Sequence, residues 1–132
     1  MKAFLPFFAL CLIVLSCNKA PNGVFIRFKN ATVRDIFQAE YILNQKEKTQ
    51  IGLLPKGQSS KYYAFENYQV FGGNPVGTLQ GRMGTKEIAF TSFSECIVGS
   101  TFKNLEPGFY TIEILQHWLF DDEKYYLRLN HL

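Results

Sequence analysis

Cys17 is the residue whose setting most directly implies chemistry. It follows Val14-Leu15-Ser16 at the end of an apolar stretch, Ala3 to Leu15, that opens after one positive charge at Lys2. A sparse positive start, a short apolar run and a small residue at the boundary are the anatomy of an export leader. The run contains Pro6 and is 13 residues long (3 to 15 inclusive), whereas a membrane-spanning helix needs roughly 20 apolar residues. Two plainer alternatives exist for the same segment: an ordinary secretory signal cut near Ser16 that leaves Cys17 as a thiol, or a buried N-terminal strand.

Val14-Leu15-Ser16-Cys17 resembles a bacterial lipobox. The resemblance implies that the Cys17 sulfur receives a diacylglyceryl group, that residues 1–16 are cut away as a lipoprotein signal peptide, and that residues 17–23 form a lipidated N-terminus and short tether. Each buried methylene contributes about 0.8 kcal/mol, and stable anchoring takes more than one chain, so two or three acyl chains of palmitate type would hold the protein at a membrane. Asn18 stands where an inner-membrane retention Asp would stand, which favours the outer membrane of a cell envelope. Leu15-Ser16-Cys17-Asn18-Lys19 is also similar to the leaders of small Bacteroidota lipoproteins, without the acidic export signal that often follows the cysteine. Periplasmic and surface-facing orientations both stay open.

No other group has a comparable setting. Loss of 16 of the 132 residues leaves 116, a single-domain length, with 13 basic and 11 acidic side chains. That balance is too mild and too dispersed for a nucleic-acid partner, and Lys46-Glu47-Lys48 reads as a solvated turn. Cys11 leaves with the leader, so Cys96 is the only thiol besides Cys17, expected as a buried apolar residue. His117 and His131 are the only imidazoles and fall at opposite ends of an expected hairpin, which gives no metal-binding spacing. Asp121-Asp122-Glu123 lacks the ligand alternation of a calcium loop, and the serines at 59, 60, 92, 94 and 100 lack a nucleophile frame. The glycines between Gly72 and Gly84 have no phosphate-loop context and are expected to make loops. No enzyme activity, cofactor or metal is expected.

Aromatic side chains are the remaining resource, at 16% of the chain. Most must fill a core, but adjacent pairs such as Tyr62-Tyr63 and Tyr125-Tyr126 force one ring outward. Tyr63, Trp118 and Tyr126 are therefore the candidate contacts with a ligand or partner. An envelope protein partner makes this a non-enzymatic interaction or accessory module; the alternative is a glycan or small ligand stacked on exposed rings, helped by the Gly72–Gly84 loop.

The elements that would position these residues repeat every second residue. Val24, Ile26 and Phe28 alternate with Phe25, Arg27 and Lys29 up to Asn30. Tyr110, Ile112 and Ile114 alternate with Thr111 and Glu113, and Tyr125, Leu127 and Leu129 with Tyr126 and Arg128, predicting a hairpin turned near Asp121-Asp122. Residues 33–46 fit a strand with Phe37, Ala39, Tyr41 and Leu43 inward, or a helix capped at Thr32; the strand is favoured. Lys61 to Phe65, Tyr68 to Phe71 and Glu87 to Phe93 read as further strands.

Phe102-Lys103-Asn104-Leu105-Glu106-Pro107-Gly108-Phe109-Tyr110 resembles the turn and strand of transthyretin-like and immunoglobulin-like domains. There a leucine packs inward, Pro-Gly turns the chain, and an aromatic opens the next strand; Gly108 would take the positive φ of a type II turn. Leu54-Pro55-Lys56-Gly57-Gln58-Ser59-Ser60-Lys61-Tyr62 is similar to a segment of small Bacteroidota lipoproteins of that kind. The expectation is an all-β chain with one antiparallel β-sandwich over residues 24–132, behind a cleaved lipoprotein signal peptide.

Overall fold

The computed structural model describes residues 21–91, 99, 101–119 and 122–131; Cys17, Cys96 and Asp121 lie outside them. The described chain is all-β, with strands β1 (Val24–Asn30), β2 (Ile36–Leu43), β3 (Glu47–Leu54), β4 (Tyr63–Phe65), β5 (Gln69–Phe71), β6 (Asn74–Pro75), β7 (Thr78–Met83), β8 (Lys86–Thr91), β9 (Phe102–Asn104), β10 (Gly108–Leu119) and β11 (Asp122–His131). They form two four-stranded sheets, ordered β11-β10-β1-β4 and β3-β2-β7-β8, and a small sheet ordered β6-β5-β9.

Period-two patterning explains the first sheet. Every second residue of β1 is buried from Val24 to Asn30, and β10 pairs antiparallel with β11, placing Ile112 opposite Leu129 and Ile114 opposite Leu127. β1 lies antiparallel to β4 but parallel to β10, from Val24 opposite Gly108 to Asn30 opposite Ile114. The sheet is therefore mixed rather than wholly antiparallel. Parallel neighbours cannot be joined by a tight turn, and here the whole chain from Ala31 to Pro107 makes the crossover.

The second sheet corrects several expectations. Residues 33–46 contain the favoured strand, but Gln38 has a φ of 52° and the pairing of β2 slips between Phe37 and Glu40. A bulge adds one residue and re-aims its neighbours; Ile36, Ala39, Tyr41 and Leu43 are buried while Phe37 is 46% exposed. Glu47 and Lys48 already belong to β3. The connection is the three residues 44–46, with Leu43 opposite Glu47; Asn44 and Gln45 are both in the left-handed region and Lys46 N–H bonds Leu43 O at 3.1 Å, as in a type I′ turn. Thr78–Met83, expected within a loop, is an inner strand between β2 and β8. A Cβ on Gly81 would come within 2.9 Å of Phe37 O and 3.0 Å of Ile36 Cγ2, so the glycine admits the bulged backbone of β2.

Phe102–Asn104 is also a short strand rather than turn. Leu105 packs against the core as expected and donates its N–H to Tyr68 O at 2.8 Å. Gly108 has no positive φ: it opens β10 and donates its N–H to Gly23 O at 2.9 Å, so pairing with the chain ahead of β1 replaces the type II turn.

The inward faces of both large sheets meet in one core. Ile26, Phe28, Ile112, Ile114 and Leu127 of the first sheet are buried together with Ile36, Tyr41, Leu43 and Leu79 of the second. The Phe28 and Tyr41 rings, 4.8 Å apart, join the layers directly. Each such side chain contributes about 1.5–3 kcal/mol by leaving water. A polar node sits at the margin of this core. Asn30 is fully buried, donates its Nδ2 hydrogens to Arg34 O and Leu54 O at 2.8 and 2.9 Å, and accepts from Thr32 N–H and Thr32 Oγ1. Its main chain also bonds Gln58 O and Gly57 N–H, so one residue ties the end of β1 to the end of β3 and the following turn.

Candidate functional site

A groove of about 640 Å³ lies between β8 and β11. Both are terminal strands of their sheets, and the outer edge of β8 faces no neighbouring strand among the described residues. Alternation along β8 turns Ile88 and Phe90 into the molecule, and alternation along β11 does the same for Tyr125 and Leu127. Phe90 and Tyr125 stack at 4.6 Å with ring planes 30° apart, which makes a firm apolar floor where the two layers part.

The intervening residues make the rim. Lys86, Glu87 and Ala89 rise from β8, Lys124, Tyr126 and Arg128 from β11, and His117 is carried in beside Lys124 by the hairpin register. The charges are unequal. Arg128 is engaged by Glu113, at 2.6 Å between Nη2 and Oε2, while Lys86 and Lys124 are both exposed. With Glu87 the one acid among the described lining residues, the rim is mildly basic.

A groove of this composition can receive an extended polypeptide. The main-chain donors and acceptors of a terminal strand offer pairing, and an apolar trough takes alternate side chains of the incoming segment. The described residues contain no group of three or more His, Cys, Asp or Glu side chains placed to share a metal ion. His131 sits at the other end of the hairpin from His117, opposite Tyr110 and packed on that ring at 4.8 Å.

The three aromatic candidates separate. Tyr126 lines the groove. Tyr63 turns inward on β4, packing against the core near Phe28 at 6.1 Å, and burial pushes its phenol pKa up. The outward member of that pair is Tyr62, set edge-on against Phe109 at 5.1 Å with the Arg27 guanidinium 5.3 Å above its ring. Trp118 pairs through its backbone with Glu123, and its side chain lies outside the described residues. The Gly72–Gly84 segment is not one loop: its second half is β7, and Asn74 is its residue that lines the groove.

Sequence patterning named Tyr126 but not the floor beside it. Ile88, Phe90, Tyr125 and Leu127 each carry an ordinary inward signal, and nothing local marks β8 and β11 as neighbours across two sheets. Comparison of the chain with family models, with curated proteins and with solved structures finds no match.

Proposed function

We propose that this chain is a lipid-anchored cell-envelope protein, tethered through Cys17, whose domain is an immunoglobulin-like or transthyretin-like β-sandwich acting as a non-catalytic interaction module. The anchor rests on Val14-Leu15-Ser16-Cys17 and the short apolar run before it. The sandwich is supported by two four-stranded sheets that share one core.

The groove between β8 and β11 carries the interaction reading, because it joins a strand edge to an apolar floor of Ile88, Phe90, Tyr125 and Leu127. A partner presenting an extended, acidic and apolar segment would match both the floor and the exposed Lys86 and Lys124. The glycan alternative has less behind it: Tyr63 packs inward and Arg27 covers Tyr62.

Two measurements test the proposal separately. Metabolic labelling with a palmitate analogue is expected to mark the wild type and not Cys17→Ala; equal labelling removes the anchor. A photo-crosslinking residue at Glu87 is expected to capture a defined envelope protein in cells, whereas the same residue at Gln50, on β3 of the opposite edge, does not. The charge-reversed pair Lys86→Glu with Lys124→Glu is expected to lower capture at least fivefold. Equal capture from both edges, insensitive to that reversal, rules out the groove as the contact.

A further inference from the structure

The outer face of the first sheet carries an aromatic cluster at the end where the chain enters. Phe25 and Phe109 are register partners on the parallel strands β1 and β10, and their rings stack at 5.3 Å with planes 25° apart. Tyr62 closes on Phe109 edge-on at 5.1 Å. Arg27 lies over Tyr62 and donates from Nε to Thr111 Oγ1 at 3.0 Å, so its cation is held against the rings. Phe109 remains 43% exposed, on the face opposite the core.

We infer that this cluster rests on the lipid surface and fixes the domain's orientation there, an inference that depends on acylation of Cys17. The length of chain between anchor and fold supplies the argument. Val24 is seven residues beyond Cys17, and at roughly 3.5 Å per residue the tether reaches at most about 25 Å. Phe25 and Phe109 sit one step inside the first register pair of the sheet, Val24 opposite Gly108. The groove runs from Arg128, opposite Glu113, to Lys124, opposite His117, which are five and nine residues beyond Gly108 along β10, or about 17 and 30 Å at 3.4 Å per residue. The cluster is thus at the tethered end and the groove begins further along the sheet.

The chemistry fits an interface. Aromatic rings favour the headgroup level of a bilayer, and an arginine beside them can keep its charge in that layer while its stem covers apolar surface. Charges at the same end offset one another: Glu66 follows Phe65, the partner of Val24, and Glu106 lies two residues before Gly108, while Arg27 and Lys61 lie over the rings of Tyr62 and Tyr63. No excess of cations draws this end to anionic lipid, and the contact is apolar and insensitive to salt.

Tryptophan emission tests this in the full-length acylated protein, reconstituted into phosphatidylcholine–phosphatidylethanolamine vesicles containing brominated phosphatidylcholine. Phe109→Trp, in a Trp118→Phe background, is expected to show blue-shifted emission, quenched about twofold or more by bromolipid and unchanged by 0.5 M salt (roughly a 4 Å screening length). Lys48→Trp in the same background, on the other sheet, is expected to stay solvent-like and unquenched. If the Phe109→Trp protein floats with the vesicles while its emission is solvent-like, the inference is overturned and the anchor stands. Protein that does not float overturns both. A blue shift that grows with protein density and ignores bromolipid assigns the face to a second copy of the chain and likewise overturns the inference.

Discussion

The hydroxyls of Tyr41 and Tyr68 lie 2.5 Å apart in the core, bridging β2 to the segment that leads into the small sheet. Tyr41 also reaches Val76 O at 3.3 Å, and the Val76 main chain bonds Tyr68 in return. Two phenols and one peptide unit thereby satisfy one another where water does not reach. Burial drives both phenol pKa values far above the ordinary range, so both stay neutral and keep their hydrogens.

Tyr68→Phe is expected to cost about 1–2 kcal/mol, because it strips a buried hydroxyl of its partner. The double variant with Tyr41→Phe should cost less than the sum of the singles. Urea denaturation of the four-member cycle reads the coupling directly, and additivity would show that the hydroxyls act independently.

Asn30→Asp preserves shape but replaces two N–H donors with an oxygen facing Arg34 O and Leu54 O. A loss on the order of 3 kcal/mol is expected from two orphaned carbonyls and a buried charge. Thermal unfolding is the measurement, and a shift within error of wild type would mean that the node does not hold β1 to β3.

Two glycines should respond differently to alanine. At Gly81 the new methyl meets the β2 backbone, and overpacking there is expected to cost about 2–3 kcal/mol. At Gly52, with a φ of 81° and no atom within 4 Å of an added Cβ, only the backbone penalty of about 1 kcal/mol applies. Comparing the two denaturation midpoints separates close approach from conformational freedom.

Glu113 gives the first sheet an acid-sensitive point. Its hydrogen bond from Arg128 holds the carboxyl below its ordinary pKa of 4.5, aided by Asn130 and Lys29. A carboxyl lowered by folding stabilises the fold above its unfolded pKa and loses that contribution as pH falls through the folded value. The stability difference between wild type and Glu113→Gln is expected to be constant above pH 5 and to shrink below about pH 4.5. A difference unchanged down to about pH 3 would contradict the ion pair's contribution.

Strands buried on one face were legible from residue order, as β1, β10 and β11 show, because period-two burial leaves a direct trace. Three features left no such trace. The bulge at Gln38 inverts Phe37 through a backbone angle that residue type does not announce. In β7, Gly81 occupies an inward position where a large apolar residue would normally signal a strand. Tyr62 and Tyr63 are a pair whose inward member depends on which neighbour shares a face with Phe65, a fact of registry. The groove itself joins strands from different sheets, so Tyr126 could be named while Ile88 and Phe90 could not.

The parallel pairing of β1 with β10 also governs when the domain can exist. Val24–Asn30 leaves the ribosome early, yet its long neighbour, Gly108–Ile114, is made after nearly everything between them. Until then the segment Val24-Phe25-Ile26-Arg27-Phe28 has only β4 and the short Ser59-Ser60 stretch ahead of it to pair with among the described residues, and non-local closure of this kind is slow. An apolar strand waiting so long for its mate is an aggregation hazard during synthesis. A chain interrupted before Ile114 would leave that hazard permanent, so the last fifth of the polypeptide acts as the internal escort of its first strand.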